Sequence, residues 1–155
     1  MSWSLQLLEG DMVFGGDRGA RTVTGPAKLA QDLRGWLLEP RGSDPMHPEY
    51  GSSLDGGALP DGTQLPTNIG AAGTHERLFD IETEIRRVLY AYQQIQLTRA
   101  QRETTTLGGK TTFAPGEILY NVVGVDVKQF QDVVLANIRT ASTNGAGSSM
   151  TLATG

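Results

Sequence analysis

Glu39-Pro40-Arg41-Gly42-Ser43-Asp44-Pro45-Met46-His47-Pro48-Glu49-Tyr50-Gly51-Ser52 is the stretch on which the reading of the fold turns. It carries three prolines and two glycines between two segments of helical period. Proline locks φ and removes a backbone donor, and glycine opens the positive-φ region. The stretch is therefore a rigid, non-repetitive connector that sets how two helices meet. Tyr50 is expected to pack on those helices, and Gly51 to adopt a backbone conformation that a Cβ disfavours. The same residues also bear on function. Glu39 and Glu49, with Asp44 between them, are the only carboxylate set in the chain worth weighing as a catalytic pair.

Upstream, Gly25-Pro26 reads as a helix start, because proline is favoured in the first turn, where its missing N–H is not needed. Leu29, Leu33, Trp36 and Leu37 then share one helical face. Glu39 precedes a proline and is pushed out of helical geometry, so the helix covers about 26–38. Downstream, residues 39–73 read as one long loop punctuated by Gly56-Gly57, Pro60-Asp61-Gly62, Pro66 and Gly70 to Gly73. A second helix follows at about 75–102, with Thr74 as its expected N-cap. Leu78, Ile81, Ile85, Val88, Leu89, Tyr92 and Ile95 keep its period, and Glu82 and Arg86 stand four apart in the favourable order. At 1.5 Å per residue it spans roughly 40 Å, more than is needed to cover one sheet, so its far end is expected to project towards another subunit.

Strand signals occupy both ends. Asp11 to Phe14 and Arg21 to Thr24 flank the turn chemistry of Gly15-Gly16-Asp17-Arg18-Gly19 and predict a small hairpin, which needs something to pack on. Ile118 to Val127 is valine-rich and reads as a strand. Asp132 to Thr140 reads as a second strand, although Phe130, Val133, Val134 and Ile138 also fit a helix. Asn144-Gly145 is a hairpin turn signal, and Met150 to Ala153 a last strand. The expected fold class is α+β, a single domain over 1–155: an N-terminal β-hairpin and two helices packed on a C-terminal antiparallel sheet at about 117–153.

Bulk composition narrows the function. The 155 residues suit one core. A hydrophobic share of 38% with 20 glycines points to a modest core with many loops, or to parts ordered by a partner. A formal net charge of −4 disfavours a broad nucleic-acid surface. The absence of cysteine excludes disulfides, thiol catalysis and cysteine metal sites, and fits a cytosolic origin. The first residues lack the basic and apolar regions of a signal peptide, and no apolar run is long enough to cross a bilayer.

Candidate chemistry is sparse. His47 and His75 are the only histidines and form no ligand-spaced cluster. No phosphate-cradling glycine loop and no nucleophile elbow occur. Glycoside hydrolysis needs two acids flanking the bond; Glu39 and Glu49 offer them without a surrounding run of aromatics, and solvated or ion-paired loop acids are the simpler reading. Neither a catalytic residue, a metal nor a cofactor is expected. Trp36 reads as core, and Trp3 as packed or part of an interface. Arg77, Arg86, Arg87, Arg99 and Arg102 read as a solvated helix face or a set of interface ion pairs.

The order of features resembles a family. Gly10-Asp11-Met12-Val13, Thr24-Gly25-Pro26, Leu29-Ala30-Gln31-Asp32-Leu33 and Met46-His47-Pro48-Glu49-Tyr50-Gly51-Ser52-Ser53-Leu54 look like the baseplate wedge protein of contractile phage tails, historically labelled "lysozyme-like" and related to a baseplate component of the type VI secretion system. The likeness is densest over residues 10–56. It implies a fold and interface motif of Gln31, Asp32, Trp36, Pro48, Glu49, Tyr50, Gly51 and Ser52. It also implies sheath-contact strands carrying Val133, Leu135, Asn137, Arg139 and Thr151. By the same resemblance the chain is a structural part of the virion, six copies per tail, assembled in the host cytoplasm. It would contact other wedge proteins, the tail sheath and the tube or hub, and start the sheath by strand augmentation, with no nucleic acid or membrane partner. One departure stands out: the family's Glu-Pro-Arg after the long helix is replaced here by Tyr92 to Arg99, and Glu39-Pro40-Arg41 lies after the first helix instead. Two other functions remain open, a peptidoglycan-degrading enzyme using Glu39 and Glu49, and a tail or head completion protein outside the contractile baseplate.

Overall fold

Two helices and a C-terminal sheet organise the chain. The computed structural model describes residues 4–8, 11–15, 19–58, 61–67, 75–114, 116–130 and 133–154. In order these form β1 (Ser4–Leu5), β2 (Leu7–Leu8), β3 (Asp11–Met12), β4 (Thr22–Val23), α1 (Gly25–Leu38), β5 (Pro40–Arg41), β6 (Ser52–Ala58), β7 (Gln64–Thr67), α2 (His75–Thr106), β8 (Leu119–Phe130), β9 (Val133–Ser142) and β10 (Gly147–Thr154). The class is α+β. Trp3, Thr74, Gly16 to Arg18, Pro60, Gly70 to Gly73, Asp132 and the side chain of His75, all of which the sequence reading used, lie outside the described residues.

The C-terminal sheet is antiparallel in the order β10-β9-β8. Between the two readings of residues 133–140, the strand holds. Val134, Ala136, Ile138, Thr140 and Ser142 are buried while Asn137 and Arg139 are exposed, a period of two. In β8 the buried residues Leu119, Val122 and Val125 stand three apart. Register shifts at Leu119/Asn121 and Val122/Gly124 explain the spacing. Each bulge sets an extra residue against one partner, so side chains three apart return to the same face. The turn between β9 and β10 uses Asn144-Gly145: Asn144 Oδ1 accepts from the Ser142 hydroxyl at 2.6 Å and from Ala146 N–H at 3.0 Å.

Both helices cover one face of this sheet. α1 lies over β10 and α2 over β8. Leu29, Leu33 and Leu37 of α1 and Ile85 and Leu89 of α2 are fully buried, facing Leu119, Ile138 and Leu152. Burying a leucine or isoleucine contributes about 1.5–3 kcal/mol, so these rows dominate the stability of the helix–sheet contact. Among the described residues the buried apolar side chains form one cluster, joined by Leu54 of β6.

Three differences from the sequence reading have physical causes. Residues 39–73 were expected as one loop, yet β5, β6 and β7 form a three-stranded sheet there. β6 pairs antiparallel with β7, and β5 runs parallel to β6 with a register break between Pro40 and Arg41. Glycine and proline mask a strand whose pairing is short and irregular. Next, α2 extends to Thr106 rather than 102. Threonine is β-branched and a poor helix former, but the hydroxyls of Thr104, Thr105 and Thr106 donate to the carbonyls of Ala100, Gln101 and Arg102 at 2.7–3.0 Å, which keeps the run in helical register. Finally, the N-terminal hairpin has a further strand segment: β1 pairs with β4 and β2 with β3, so residues 4–8 lie beside both arms, and Phe14 bridges Ala20.

Candidate functional site

The connector between α1 and β6 is held by both helices. Tyr50 is half-buried, and its ring meets Trp36 edge-on with centroids 4.5 Å apart; Trp36 in turn meets Tyr92 of α2 at 5.1 Å. Gly51 takes φ +90°, and a Cβ there would come 2.5 Å from the Glu39 carbonyl oxygen. Only glycine allows the chain to pass so close to the end of α1. The Gly51 carbonyl accepts from Arg87 Nη2 at 3.2 Å. The buried Ser52 hydroxyl donates to the Leu37 carbonyl at 2.6 Å, satisfying one of the carbonyls that a helix C-terminus leaves open. Ser53 N–H donates to Glu84 Oε1 at 2.8 Å. Glu84 also binds Arg87 through both carboxylate oxygens, each at 2.7 Å. Burial pushes the Glu84 carboxyl up, but the Arg87 guanidinium and the Ser53 N–H outweigh it and hold the group below its ordinary value. Tyr50, Gly51 and Ser52 thus join α1 to α2.

Gln31 and Asp32 divide two tasks. The Gln31 side-chain amide acts as a strand would: Nε2 donates to the Leu5 carbonyl at 2.8 Å and Oε1 accepts from Leu7 N–H at 2.9 Å. It fastens the N-terminal strands to α1. Asp32 pairs with Lys28 one turn earlier and accepts from the Tyr92 hydroxyl at 3.4 Å. Burial, followed by the Asp32 carboxylate, pushes the Tyr92 phenol far above its ordinary range, so it stays neutral.

Three residues of structural weight were not singled out from the sequence. Gln96, buried in α2, donates to the Glu117 carbonyl at 2.8 Å and accepts from Leu119 N–H at 2.9 Å, positioning the start of β8. A glutamine four residues after Tyr92, in the row that carries Leu89 and Tyr92, was the available signal. Gln93 donates to the carbonyls of Leu119 and Tyr120 beside it. Glu117, 1% exposed, accepts from Gly25 N–H at 3.2 Å and from Ala114 N–H at 3.0 Å. A carboxylate at a helix N-terminus is favourable, and Thr24 supplies no side-chain cap to α1. No local pattern announces a contact spanning 92 residues of chain.

The candidate acids are engaged in the connector itself. Glu49 pairs with Arg41 at 2.6 Å, and Glu39 Oε1 accepts from the Ser43 hydroxyl at 2.5 Å. Asp44 meets His47 Nδ1 at 2.9 Å. That hydrogen bond, with the Met46 N–H, holds the Asp44 carboxyl below its ordinary value. Among the described residues no group of three metal-ligating side chains comes together. No described helix is long and apolar enough to cross a membrane.

The strand residues fall on the other face of the C-terminal sheet. Val133, Leu135, Asn137 and Arg139 of β9 and Thr151 of β10 all point away from the helices. Thr151 donates to Asn137 Oδ1 at 2.9 Å, and Arg139 lies across Gly124 of β8. Tyr120 and Phe130, each 68% exposed, extend this face along β8. β9 is the central strand, however, and its main chain is paired on both sides. The edges of this sheet are β8 and β10, and the expected contact residues of β9 present side chains rather than a free main-chain edge.

The fold and these contacts define a two-helix, antiparallel-sheet α+β protein with an open sheet face and a clamped connector. No protein-family model matches the chain, and a search of curated proteins finds no match.

Proposed function

We propose that this chain is a non-enzymatic structural component of a phage tail baseplate that joins the wedge to the first sheath ring and starts the sheath by strand augmentation. The observation that carries the reading is β10. Its residues, Gly147-Ser148-Ser149-Met150-Thr151-Leu152-Ala153-Thr154, include no charge and no proline, and its register with β9 runs unbroken from Gly147 to Thr154. Exposed edges are ordinarily blunted by charge, proline or bulges. The opposite edge is so blunted: β8 carries two register shifts and the Asp126–Lys128 pair. One unguarded edge beside one guarded edge suits main-chain pairing with an extended arm of a neighbour. The connector supports a structural role as well, since Tyr50, Gly51 and Ser52 are spent on joining helices.

On this reading the partners are other wedge proteins, the sheath, and the tube or hub, in six copies per tail within the virion, without nucleic acid or membrane. Tails assembled without the chain should lack an ordered sheath at the baseplate; normally sheathed tails in electron micrographs would sink the proposal. A chain mapped away from the lower end of the sheath would favour a completion protein instead. Peptidoglycan cleavage by the purified protein, lost on Glu49→Gln, would favour the enzyme.

A further inference from the structure

The outward face of α2 plays no part in the proposal above. Among the described residues, this helix is engaged on three sides. Ile85 and Leu89 are buried in the core. Glu84 and Arg87 hold Ser53 and Gly51 on one flank. Gln93 holds the carbonyls of Leu119 and Tyr120 on the other. Between the flanks runs a stripe of Phe79, Arg86, Tyr90 and Leu97, whose positions in α2 fall within about 20° of one line along the helix. Phe79 is 68% exposed, Tyr90 49% and Leu97 44%. Scattered single apolar side chains are normal on a surface, but large ones lined up on one helix face mark a contact.

Register and charge say what covers the stripe. Laid antiparallel on its own copy, with a twofold axis level with Val88, α2 sets Phe79 against Leu97 and Arg86 against Tyr90, and each pair recurs on the other side of the axis. Apolar meets apolar, and a guanidinium meets an aromatic ring, a favourable contact. Arg86 is bound to Glu82 one turn earlier, at 2.7 and 2.9 Å, so covering it buries a neutralised pair and not a lone charge. Before Ile85, α2 carries Glu76, Asp80, Glu82 and Glu84 against Arg77; after it come Arg86, Arg87, Arg99 and Arg102 against Glu103. Antiparallel pairing lays the acidic half of each helix along the basic half of the other and opposes their dipoles.

We infer that this stripe is the interface through which α2 pairs antiparallel with α2 of a second copy of the chain. A twofold interface must be self-complementary, residue i meeting j while j meets i, and Phe79 with Leu97 and Arg86 with Tyr90 meet that condition in one register. A single helix face lies at the small end of interface sizes, so the dimer is a concentration-dependent equilibrium and not a permanent assembly. Neither the β10 edge nor the connector takes part, so this pairing stands or falls apart from the tail reading.

The test uses the full chain. Sedimentation should show monomer passing to dimer as concentration rises. Phe79→Glu and Leu97→Glu should each weaken the dimer at least about tenfold. Both positions are exposed, so the circular dichroism of the variants should match that of the parent. Cross-linking reads the register directly, since the chain has no cysteine. A mixture of the Phe79→Cys and Leu97→Cys proteins should be joined by a short bismaleimide. Neither protein alone should be, because its two thiols would stand roughly 27 Å apart across the twofold axis. A monomer at every concentration, a dimer indifferent to both glutamate variants, or efficient cross-linking of Phe79→Cys to itself overturns the inference. A dimer that Ala153→Lys dissociates and Phe79→Glu does not would also overturn it, moving the contact to the β10 edge.

Discussion

Gly51 shows how much one position can decide. Its φ of +90° and the approach of the Glu39 carbonyl leave no room for a Cβ. Left-handed backbone costs a non-glycine residue about 1–3 kcal/mol before any clash is counted. Gly51→Ala should therefore lower stability by at least that amount, read as a shift in urea midpoint with an unchanged slope. Glu103 makes a different kind of residue-level prediction. The Thr112 N–H, the Thr112 hydroxyl and Arg99 hold its carboxyl down at about 2, from an ordinary value of 4.5. Because the folded value is the lower one, the contact is fully formed above pH 4.5 and is lost as pH falls towards 2. The protection factor of the Thr112 amide, its exchange corrected for the intrinsic rate at each pH, should fall across that window while that of the Leu33 amide holds; an unchanged Thr112 protection factor would contradict the assignment.

Elements depend on stitches that cross between them. The N-terminal strands are only two residues each, too short to hold alone, and Gln31 supplies two hydrogen bonds to them. Each such bond contributes roughly 0.5–1.5 kcal/mol. Gln31→Ala should thus release residues 5–7 and 22–23 in hydrogen exchange while leaving the global midpoint nearly unchanged. Equal loss of protection across α1 and β9 would mean that the N-terminal strands and the core unfold together. Leu33→Ala is the contrasting case: fully buried between α1 and the sheet, it should cost about 2–5 kcal/mol and move every probe at once. The elements also show where period-based reading succeeds. The leucine row of α1 is a local pattern and was legible, whereas β9 was read as a strand beside a helical alternative that only its alternating burial removes. The β strands of the connector were not legible, because Gly56, Gly57 and Pro66 are turn residues by propensity and become strand residues only through β6–β7 pairing.

At the scale of the whole molecule, β10 is an edge strand paired on one side only, beside the open sheet face. Ala153→Lys separates assembly from folding there. Ala153 is exposed and points away from the helices, so a lysine there should shift stability by less than about 0.5 kcal/mol. On the proposed reading it should still hinder sheath assembly by guarding the edge. Ordered sheaths on tails carrying this variant would argue against pairing at β10. The candidate strand residues illustrate the same limit of sequence. Their shared outward face follows from alternation, but the central position of β9 does not, since strand order is a property of the assembled sheet.

By itself the sequence determined what is local: the helical faces, the Asn144-Gly145 turn, the exit from α1 at Glu39 and the need for glycine at position 51. These follow from φ/ψ limits and from the periods of helix and strand, which act over a few residues. Only the tertiary structure decided which elements meet. Glu117 reaches Gly25 across 92 residues, Ser52 satisfies Leu37, and β10 rather than β9 stands at an edge. Those outcomes depend on where burial of the apolar rows brings distant backbone groups together, and such groups must find partners once water is excluded.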